Sequence, residues 1–404
     1  MINNWLYAFM LITFIFIAPT CMFDAPTGQT EVNLPASQDT RTGRFTLMAL
    51  GDNSVSDIEK LAHNYNLMIA SDDVKPEAIQ AFRSKNPGAP VFCYFNTSDI
   101  DGDSPWASYR RTWNDTNPHE DWFHHDVSGA RVKIYYPKYK NRCAFDTGNP
   151  GLRDYLAARV LEIFKTGLYD GVQLDNVSTD YPFYDRLVGN WISSVPVDLT
   201  PEEWTSDEVG MLRVIKKQAI AAGFSNKTII FNHMRSGEPE TSQAYLAEID
   251  GANCESWMSR SVELEGRWGW KAKVEQVHEA ASSGKLVNLL CVPRQPDEGE
   301  ALFLFSSYLM TTEANRVFFF YATGYKAYQQ VWYPFYDTNL GAPKGEYEAR
   351  DGAFFRLFTK GCAVVNPDKA IHTIQLNSVY KTLSGESVNT ISLNPGEGML
   401  LLSP

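Results

Sequence analysis

The sequence lacks the short motifs that identify several large enzyme classes. It has no His-Glu-x-x-His motif and no Cys-x-x-Cys pair, which argues against zinc-hydrolase and zinc-finger chemistry. Gly-x-Ser-x-Gly and the P-loop pattern Gly-x-x-x-x-Gly-Lys-Ser/Thr are also absent, so nothing indicates a serine hydrolase or a nucleotide-phosphate site. We therefore expect neither a metal nor an organic cofactor.

Basic residues are also scarce. The chain carries 36 Lys and Arg residues against 48 Asp and Glu residues, a formal net charge of −12. A protein that binds nucleic acid normally presents a basic face, so we expect no nucleic-acid partner. The hydrophobic share of 44% is ordinary for a globular protein, and 404 residues are enough for a large barrel with a small appendage.

Only one long hydrophobic run occurs, and it lies at the amino terminus. Residues 5–20 are almost purely apolar, which predicts that residues 1–25 are a secretory signal peptide or a membrane or lipid anchor. No Lys or Arg precedes this run, and the residues before Cys21 make a poor lipidation motif, so cleavage, anchoring as a membrane tether and lipidation stay open. In each case we expect an exported protein (secreted, periplasmic or cell-surface) with residues 26–43 as a linker.

Predicted strands alternate with predicted helices along most of the chain. About eight β-rich runs, from Arg44–Asp52 to Arg316–Gly324, are each followed by a helical pattern or a long loop. This α/β alternation over residues 44–335 predicts a (β/α)8 TIM barrel. The competing doubly wound sheet would have a Gly-rich phosphate turn after its first strand, and residues 49–57 contain none. Long loops are expected over residues 100–140 and 178–199.

The pattern changes near Gly352. Short apolar runs are now separated by Gly, Asn-Pro and Pro-Gly turns, which predicts a small antiparallel β domain, sandwich-like, over residues 345–404. Because the reactive groups of a (β/α)8 barrel lie at the carboxyl ends of its strands, we expect the chemistry in the first domain.

Two carboxylates occupy such strand ends. Asp175 ends the run Gly-Val-Gln-Leu-Asp on the predicted fourth strand, and Glu255 ends Gly-Ala-Asn-Cys-Glu on the sixth. Glycoside hydrolysis needs two carboxyls that flank the scissile bond, one as nucleophile or base and the other as general acid. We predict both as catalytic residues, with a structural ion pair or cap as the alternative for each. The acid role of Glu255 leads us to expect a raised pKa from its apolar setting beside Cys254 and Trp257.

Other strand ends supply polar and aromatic side chains of the kinds that bind sugars, since amides and carboxylates bond hydroxyls and aromatic rings stack on C–H faces. The predicted substrate-binding residues are Asp52, Tyr94, Asp146, Asn176, Asn232, His233, Trp257 and Arg294. Asp52 and Asp146 stand beside turn signals, which also suits a structural role. His233 could equally be a packing residue, and Trp257 could fill the barrel.

The run from Phe145 to Val177 resembles the hypothetical glycosyl hydrolases of the polygalactosaminidase-like barrel superfamily. These carry Asp-x-x-Asn-Pro followed by Asp-Gly-x-x-Leu-Asp, which here is Asp146, Asn149-Pro150, Asp170-Gly171 and Leu174-Asp175. Asp250-Gly251 through Glu255 is similar to a later strand of the same family, and the carboxyl-terminal segment looks like the small β module that often follows such barrels.

The resemblance implies roles for the two carboxylates. It makes Asp175 the nucleophile or base and Glu255 the acid/base. A nucleophile on strand four with an acid/base on strand six also resembles the α-galactosidase-type clan, which favours retention of configuration. The long loops match no motif, so the identity of the sugar does not carry over. The alternatives are a carbohydrate-binding surface protein without catalysis and a transglycosylase that uses the same carboxylates.

Overall fold

Eight parallel strands form a nearly closed barrel in the computed structural model, which describes residues 40–134, 141–180, 184–185, 190–191, 196–197, 199–313 and 316–404. The strands are β1 Thr46–Ala49, β2 Leu67–Ser71, β3 Val91–Asn96, β4 Gly171–Asp175, β5 Thr228–Phe231, β6 Gly251–Glu255, β7 Leu286–Cys291 and β8 Val317–Tyr321. They pair in chain order, and a parallel bridge between Phe45 and Phe319 joins the first to the last. The predicted (β/α)8 barrel is confirmed.

Helices separate the strands, as a parallel sheet requires. They are α1 Val55–Leu61, α2 Pro76–Lys85, α3 Ala107–Thr116, α4 Pro150–Lys165, α5 Pro201–Ala221, α6 Pro239–Glu248, α7 Trp270–Ser282 and α8 Glu298–Leu309. Local sequence explains several starts. Asn149 caps α4 ahead of a proline at the first helical position, and Thr200 and Glu203 form a reciprocal capping box on α5.

Alternation along the strands divides their residues into an inner and an outer set. The inner set forms an apolar cluster inside the barrel, consisting of Met48, Leu50, Leu67, Ile69, Phe92, Ile230, Leu286, Leu290, Phe318, Phe320 and Ala322. The outer set packs against the helices in a larger cluster. Glu255 lies opposite Leu290, and Gln173 lies opposite Ile230, two residues before Asp175. Both carboxylates therefore belong to the inner face, at its open end.

The described part of the segment between β3 and β4 contains regular secondary structure where the sequence predicted a long loop over residues 100–140. It contains α3 and a two-stranded antiparallel pair, Asp99–Asp101 with Arg142–Ala144. The start of α3 is capped from a distance, because the backbone N–H of Ala107 donates to Oδ1 of Asp73 (3.1 Å) in the segment after β2. A cap from another part of the chain leaves no local start signal, which is why the sequence pattern does not show this helix.

The carboxyl-terminal strands form one six-stranded antiparallel sheet, which confirms the predicted antiparallel β fold of this part of the chain. In chain order they are β9 Glu348–Arg350, β10 Ala353–Phe358, β11 Gly361–Asn366, β12 His372–Thr382, β13 Ser387–Leu393 and β14 Glu397–Leu402, in the spatial order β9-β10-β11-β14-β12-β13. Arg356 of β10 is 2% exposed and donates to the carbonyls of Leu309 and Met310 (3.1 and 2.9 Å) at the end of α8. It also pairs with Glu313 at 3.1 Å.

Cysteines 93, 143, 254, 291 and 362 are free and buried. Cys21, the apolar run 5–20 and most of the linker lie outside the described residues, as does most of the loop predicted over residues 178–199. Within the described part of the chain, no helix is long and apolar enough to cross a membrane.

Candidate active site

The two predicted catalytic carboxylates meet at the mouth of the barrel through one shared amide. Nδ2 of Asn232, which directly follows β5, donates to Oδ1 of Asp175 and to Oε2 of Glu255, each at 2.7 Å. Strand β5 lies between β4 and β6, so its end projects a side chain between theirs. The amide therefore fixes the separation of the two carboxylates and contributes a donor to both.

Three further side chains donate to the pair. The hydroxyl of Tyr94 on β3 donates to Oδ2 of Asp175, and the hydroxyl of Tyr325, four residues beyond β8, donates to Oε1 of Glu255. Nε2 of His233 lies 2.7 Å from Oε2 of Glu255 and is the donor, because a carboxylate only accepts. Each of the four carboxylate oxygens thus has a donor.

The residues that follow these strand ends have an unusual backbone. Asn176, His233 and Ser256 have φ values of 62°, 74° and 53°, in the left-handed region. Asn and His are among the residues that tolerate this region best, whereas Ser does so less readily. Non-glycine residues held there cost free energy and cluster at functional sites. Here they interrupt the strand alternation just after Asp175, Asn232 and Glu255, so the following side chains do not take the positions that a continuing strand would give them.

Glu255 does not have the raised pKa that its sequence neighbours suggested. Burial alone would raise it, but the bonds from His233, Tyr325 and Asn232 together outweigh burial, so the pKa of Glu255 lies well below its ordinary value. The expectation was wrong because Cys254 lies on the opposite face of the strand, whereas the groups that decide the pKa come from other strands. Glu255 is therefore ionised in the free protein over the neutral range.

A buried polar network supports the site from behind. Nδ2 of Asn176 donates to Oδ1 of Asn96 (3.0 Å), and Nδ2 of Asn96 donates to Oδ1 of Asp99 (2.6 Å). Nε of Arg142 donates to the same oxygen of Asp99 at 2.6 Å, in an ion pair that is almost fully buried. Asn176 therefore serves here as a link between the mouth and the two-stranded pair after β3.

The other predicted binding residues stand apart from this network. Asp146 accepts from the backbone N–H of Gly148 (3.0 Å) in the turn before α4, which is a structural role. Trp257 is 3% exposed and belongs to the cluster between barrel and helices, so it has no open ring face for a sugar. Asp52 and Arg294 are exposed, and within the described residues neither makes a side-chain hydrogen bond to the carboxylate pair.

Sequence reasoning missed two aromatic residues of the mouth. Tyr325 and Trp106, together with Tyr94 and Val292, pack over the open end of the inner cluster. Both missed residues come from loops and not from strand ends. The strand-end residue Tyr321 does not face the mouth, because it belongs to the outer set of residues on β8, and its hydroxyl is bonded to the backbone of Asp297. The sequence feature that could have identified Trp106 and Tyr325 is the presence of aromatic residues in the loops after β3 and β8.

Another buried carboxyl lies beneath the loops. Glu208 on α5 is fully buried and accepts from the hydroxyls of Ser98 and Thr147, each at 3.1 Å. Burial raises the pKa of Glu208 to about 8, although the two hydroxyl donors act in the opposite direction. A neutral carboxyl therefore joins the segment after β3 to the turn before α4.

The same site has the composition of a possible metal centre. One ligand atom each from Asp175, His233 and Glu255 lies within 4.8 Å of the others. In this arrangement, however, the amide of Asn232 and the ring of His233 point N–H groups at the carboxylates. A cation bound between them would have to replace these hydrogen bonds, so the donor set suits two carboxylates held ready for a substrate better than a metal ion.

The sequence from residue 83 to residue 362 matches the model of hypothetical glycosyl hydrolase family 15, a range that includes both carboxylates and all of β4 to β8. The protein belongs to hypothetical glycosyl hydrolase family 15. The resemblance expected from the Asp146–Asp175 block is thereby confirmed, and this member of family 15 is a glycosidase whose substrates are carbohydrates. No curated protein matches the sequence.

The solved structures similar to this family 15 member include an amylase, a glycoside hydrolase domain and a protein in complex with galactosamine. A noncanonic maltogenic alpha-amylase, AmyB from Thermotoga neapolitana, has 10% identity and a TM-score of 0.52, with 89% of this chain and 98% of that chain covered. The glycoside hydrolase domain of PelA from Pseudomonas aeruginosa has 13% identity and a TM-score of 0.45, covering 71% and 97%. Ega3 from Aspergillus fumigatus, in complex with galactosamine, has 13% identity and a TM-score of 0.45, covering 74% and 98%. At such identities the amylase likeness shows the fold alone.

Proposed function

We propose that this protein hydrolyses an O-glycosidic bond of a poly- or oligosaccharide, with Asp175 and Glu255 as the reacting carboxyls. The observation that carries the proposal is the shared amide of Asn232, which lies 2.7 Å from an oxygen of each carboxylate at the open end of the barrel. The two groups come from different strands, face one mouth and have no Lys or Arg bonded to them among the described residues. If the two carboxylates served only as structural ion pairs, each would be bonded to a Lys or Arg side chain.

The close spacing favours retention of configuration. Retaining glycosidases place their carboxyls about 5–5.5 Å apart, and inverting ones leave about 6.5–9.5 Å for a water. The nearest oxygens of Asp175 and Glu255 lie within 4.8 Å of each other, and one oxygen of each accepts from the same Nδ2 of Asn232, which suits the shorter separation. In this mechanism Asp175 attacks the anomeric carbon and forms a glycosyl ester, while the leaving oxygen takes a proton from Glu255. Glu255 then removes a proton from water, which attacks the same carbon and releases Asp175.

The lowered pKa of Glu255 has to change during such a cycle. A sugar in the mouth removes water from around Glu255 and leaves the charge of Asp175 beside it, and both effects raise the pKa of Glu255. Formation of the ester removes the charge of Asp175, so the pKa of Glu255 falls again and the group can act as a base.

The test is a hydrolysis screen of the purified protein, Asp175→Asn, Glu255→Gln and Glu279→Gln. The panel contains neutral, acidic and amino-sugar polysaccharides, including polymers that contain galactosamine, and aryl glycosides. We expect Asp175→Asn and Glu255→Gln to lose at least 1,000-fold in kcat/KM, on the order of what removing a reacting group costs, with little change in thermal midpoint. Glu279, on the exposed face of α7, is the matched control and should leave activity intact.

The products distinguish the remaining mechanisms. NMR of the first sugar released should show the configuration of the substrate, and the opposite anomer would refute retention. Added acceptor sugars that become glycosylated faster than water reacts would identify a transglycosylase. Binding of a polysaccharide without any product would favour a carbohydrate-binding protein.

We also propose that the protein is exported. The apolar run at residues 5–20 supports this, and the test is cell fractionation with and without that run. Retention of the full-length protein in the cytoplasm would contradict it.

A further inference from the structure

Trp106 lies at the mouth of the barrel, one residue before α3. Its ring is edge-to-face with Tyr94, 6.0 Å between centroids, and the hydroxyl of Tyr94 donates to Asp175. Trp106 is half-buried and packs, with Tyr94 and Tyr325, over the inner apolar cluster. The indole is therefore one side chain removed from Asp175, on the β1 to β3 side of the opening.

Neighbouring residues hold this ring in place. Tyr109 contacts it edge-on at 5.4 Å, and the Asp73 cap on Ala107 fixes the start of α3 directly after it. Gly51, with φ 71°, lies against the indole, and a Cβ at that position would be 3.2 Å from Nε1. The backbone approach at Gly51 leaves room for the ring, so the ring is preorganised and not a mobile surface side chain.

The indole N–H of Trp106 makes no hydrogen bond within the part of the chain that the structure describes. The N–H groups of the buried Trp204 and Trp270 donate to Ser178 (3.2 Å) and Ser307 (2.9 Å), while that of the buried Trp257 has no partner among the described residues. A tryptophan that serves only packing normally pairs its N–H when the ring is buried. Trp106 differs from the buried Trp257 because its ring is only half-buried, at the mouth, so its unpaired donor and part of its ring are open to a ligand.

We propose that Trp106 is the platform of a sugar-binding subsite beside Asp175, stacking on the apolar C–H face of a pyranose ring while Nε1–H donates to a hydroxyl. This inference rests on the proposed glycosidase function and adds to it a residue that fixes how the substrate enters the mouth. It predicts that Trp106 contributes to binding of the ground state and of the transition state alike. Replacing it should therefore raise KM far more than it lowers kcat.

The experiment measures binding and turnover separately. Affinity gel electrophoresis and calorimetry use chitosan, polygalacturonic acid, dextran and maltotetraose with the Asp175→Asn protein, into which Trp106→Ala, Trp106→Phe or Trp113→Phe is introduced. Trp113 lies on the same helix, packs edge-on against Phe123 away from the carboxylates and is the matched control. We expect Trp106→Ala to weaken binding by roughly tenfold or more, Trp106→Phe to recover most of it, and Trp113→Phe to match the parent.

Each outcome decides one point. Equal affinity in Trp106→Ala and the parent would overturn the proposal, as would binding of none of the four probes by the parent. In the active protein, a Trp106→Ala loss confined to kcat would also contradict it. If Asp175→Asn still hydrolyses a probe while Trp106→Ala loses affinity, the sugar platform stands and the two-carboxylate mechanism fails.

Discussion

Glu208 should make the protein less stable as the pH rises through the neutral range. Its pKa in the folded protein is about 8, against an ordinary value of 4.5 in the unfolded chain. Between these two values the folded protein holds a proton that the unfolded chain has released. The free energy of unfolding then falls by about 1.4 kcal/mol for each pH unit. The contribution of Glu208 is therefore complete below pH 4.5 and lost as the pH rises toward 8.

The size of the loss in unfolding free energy follows from the interval between the unfolded-state and folded-state pKa values of Glu208. From pH 4.5 to pH 7 the loss from this one group is about 3 kcal/mol, and up to pH 8, where the group is half ionised in the folded protein, it is about 4 kcal/mol. Glu208→Gln replaces the carboxyl with a neutral group of the same shape that can still bond the hydroxyls of Ser98 and Thr147. We therefore expect the variant to gain stability relative to the wild type as the pH rises, with a difference that grows by about 1.4 kcal/mol per pH unit.

The assay is urea unfolding followed by fluorescence at pH 5, 6, 7 and 8, for the wild type, Glu208→Gln and the exposed control Glu279→Gln. The difference between variant and wild type cancels the other titrating groups, which both proteins share. A difference that stays constant from pH 5 to pH 8 would refute the reasoning, because Glu208 would then titrate alike in both states. A pH-dependent difference in Glu279→Gln would show that the effect is not specific to burial.

Three other variants test the site and the carboxyl-terminal sheet. Tyr325→Phe removes a donor to ionised Glu255, so the pKa of Glu255 should rise, and the alkaline limb of the kcat/KM profile, where the proton of the general acid is lost, should move to higher pH; an unmoved limb would separate Tyr325 from catalysis. Asn232→Asp replaces the shared donor with a third carboxylate and should reduce kcat/KM by roughly 100-fold or more, whereas activity near wild type would contradict the bridging role of this amide. Arg356→Met removes the donor to the carbonyls of Met310 and Thr312 and the buried cation beside Glu313, and should lower the free energy of unfolding by about 3–5 kcal/mol, measured in urea; a loss under about 1 kcal/mol would deny its importance.

The barrel and the position of the carboxylates were predictable because they depend on short-range patterns. Apolar runs that end in Asp175 and Glu255 place both side chains at the same end of parallel strands, and this needs no knowledge of the other strands. Asn232 and Tyr94 were predictable in the same way, because the alternation of inner and outer residues along a strand places both on the inner side. The regular alternation of strand and helix carries all of this information.

The rest depends on conformations and partners that local patterns do not contain. By strand parity His233 should face outward, but its φ of 74° departs from the strand and brings its ring to Glu255. Trp257 has the parity of the mouth, yet the left-handed Ser256 ends the strand and Trp257 is buried instead. Tyr325 and the pKa of Glu255 depend on strands far apart in sequence. Such long-range neighbours become visible only once the barrel has closed.

The arrangement around Arg356 has a consequence for how this chain can be divided. The last helix of the barrel ends in carbonyl groups that receive their hydrogen bonds from a residue of the carboxyl-terminal sheet. A fragment cut before β9 would therefore lose the cap of α8 and expose the apolar surface beneath it. We expect expression of the barrel alone to give an aggregating product, and gene fusions that exchange the sheet to succeed only if they keep an arginine at this position. The sheet is thus a component of the barrel's own folding unit, and the two are expected to be inherited together.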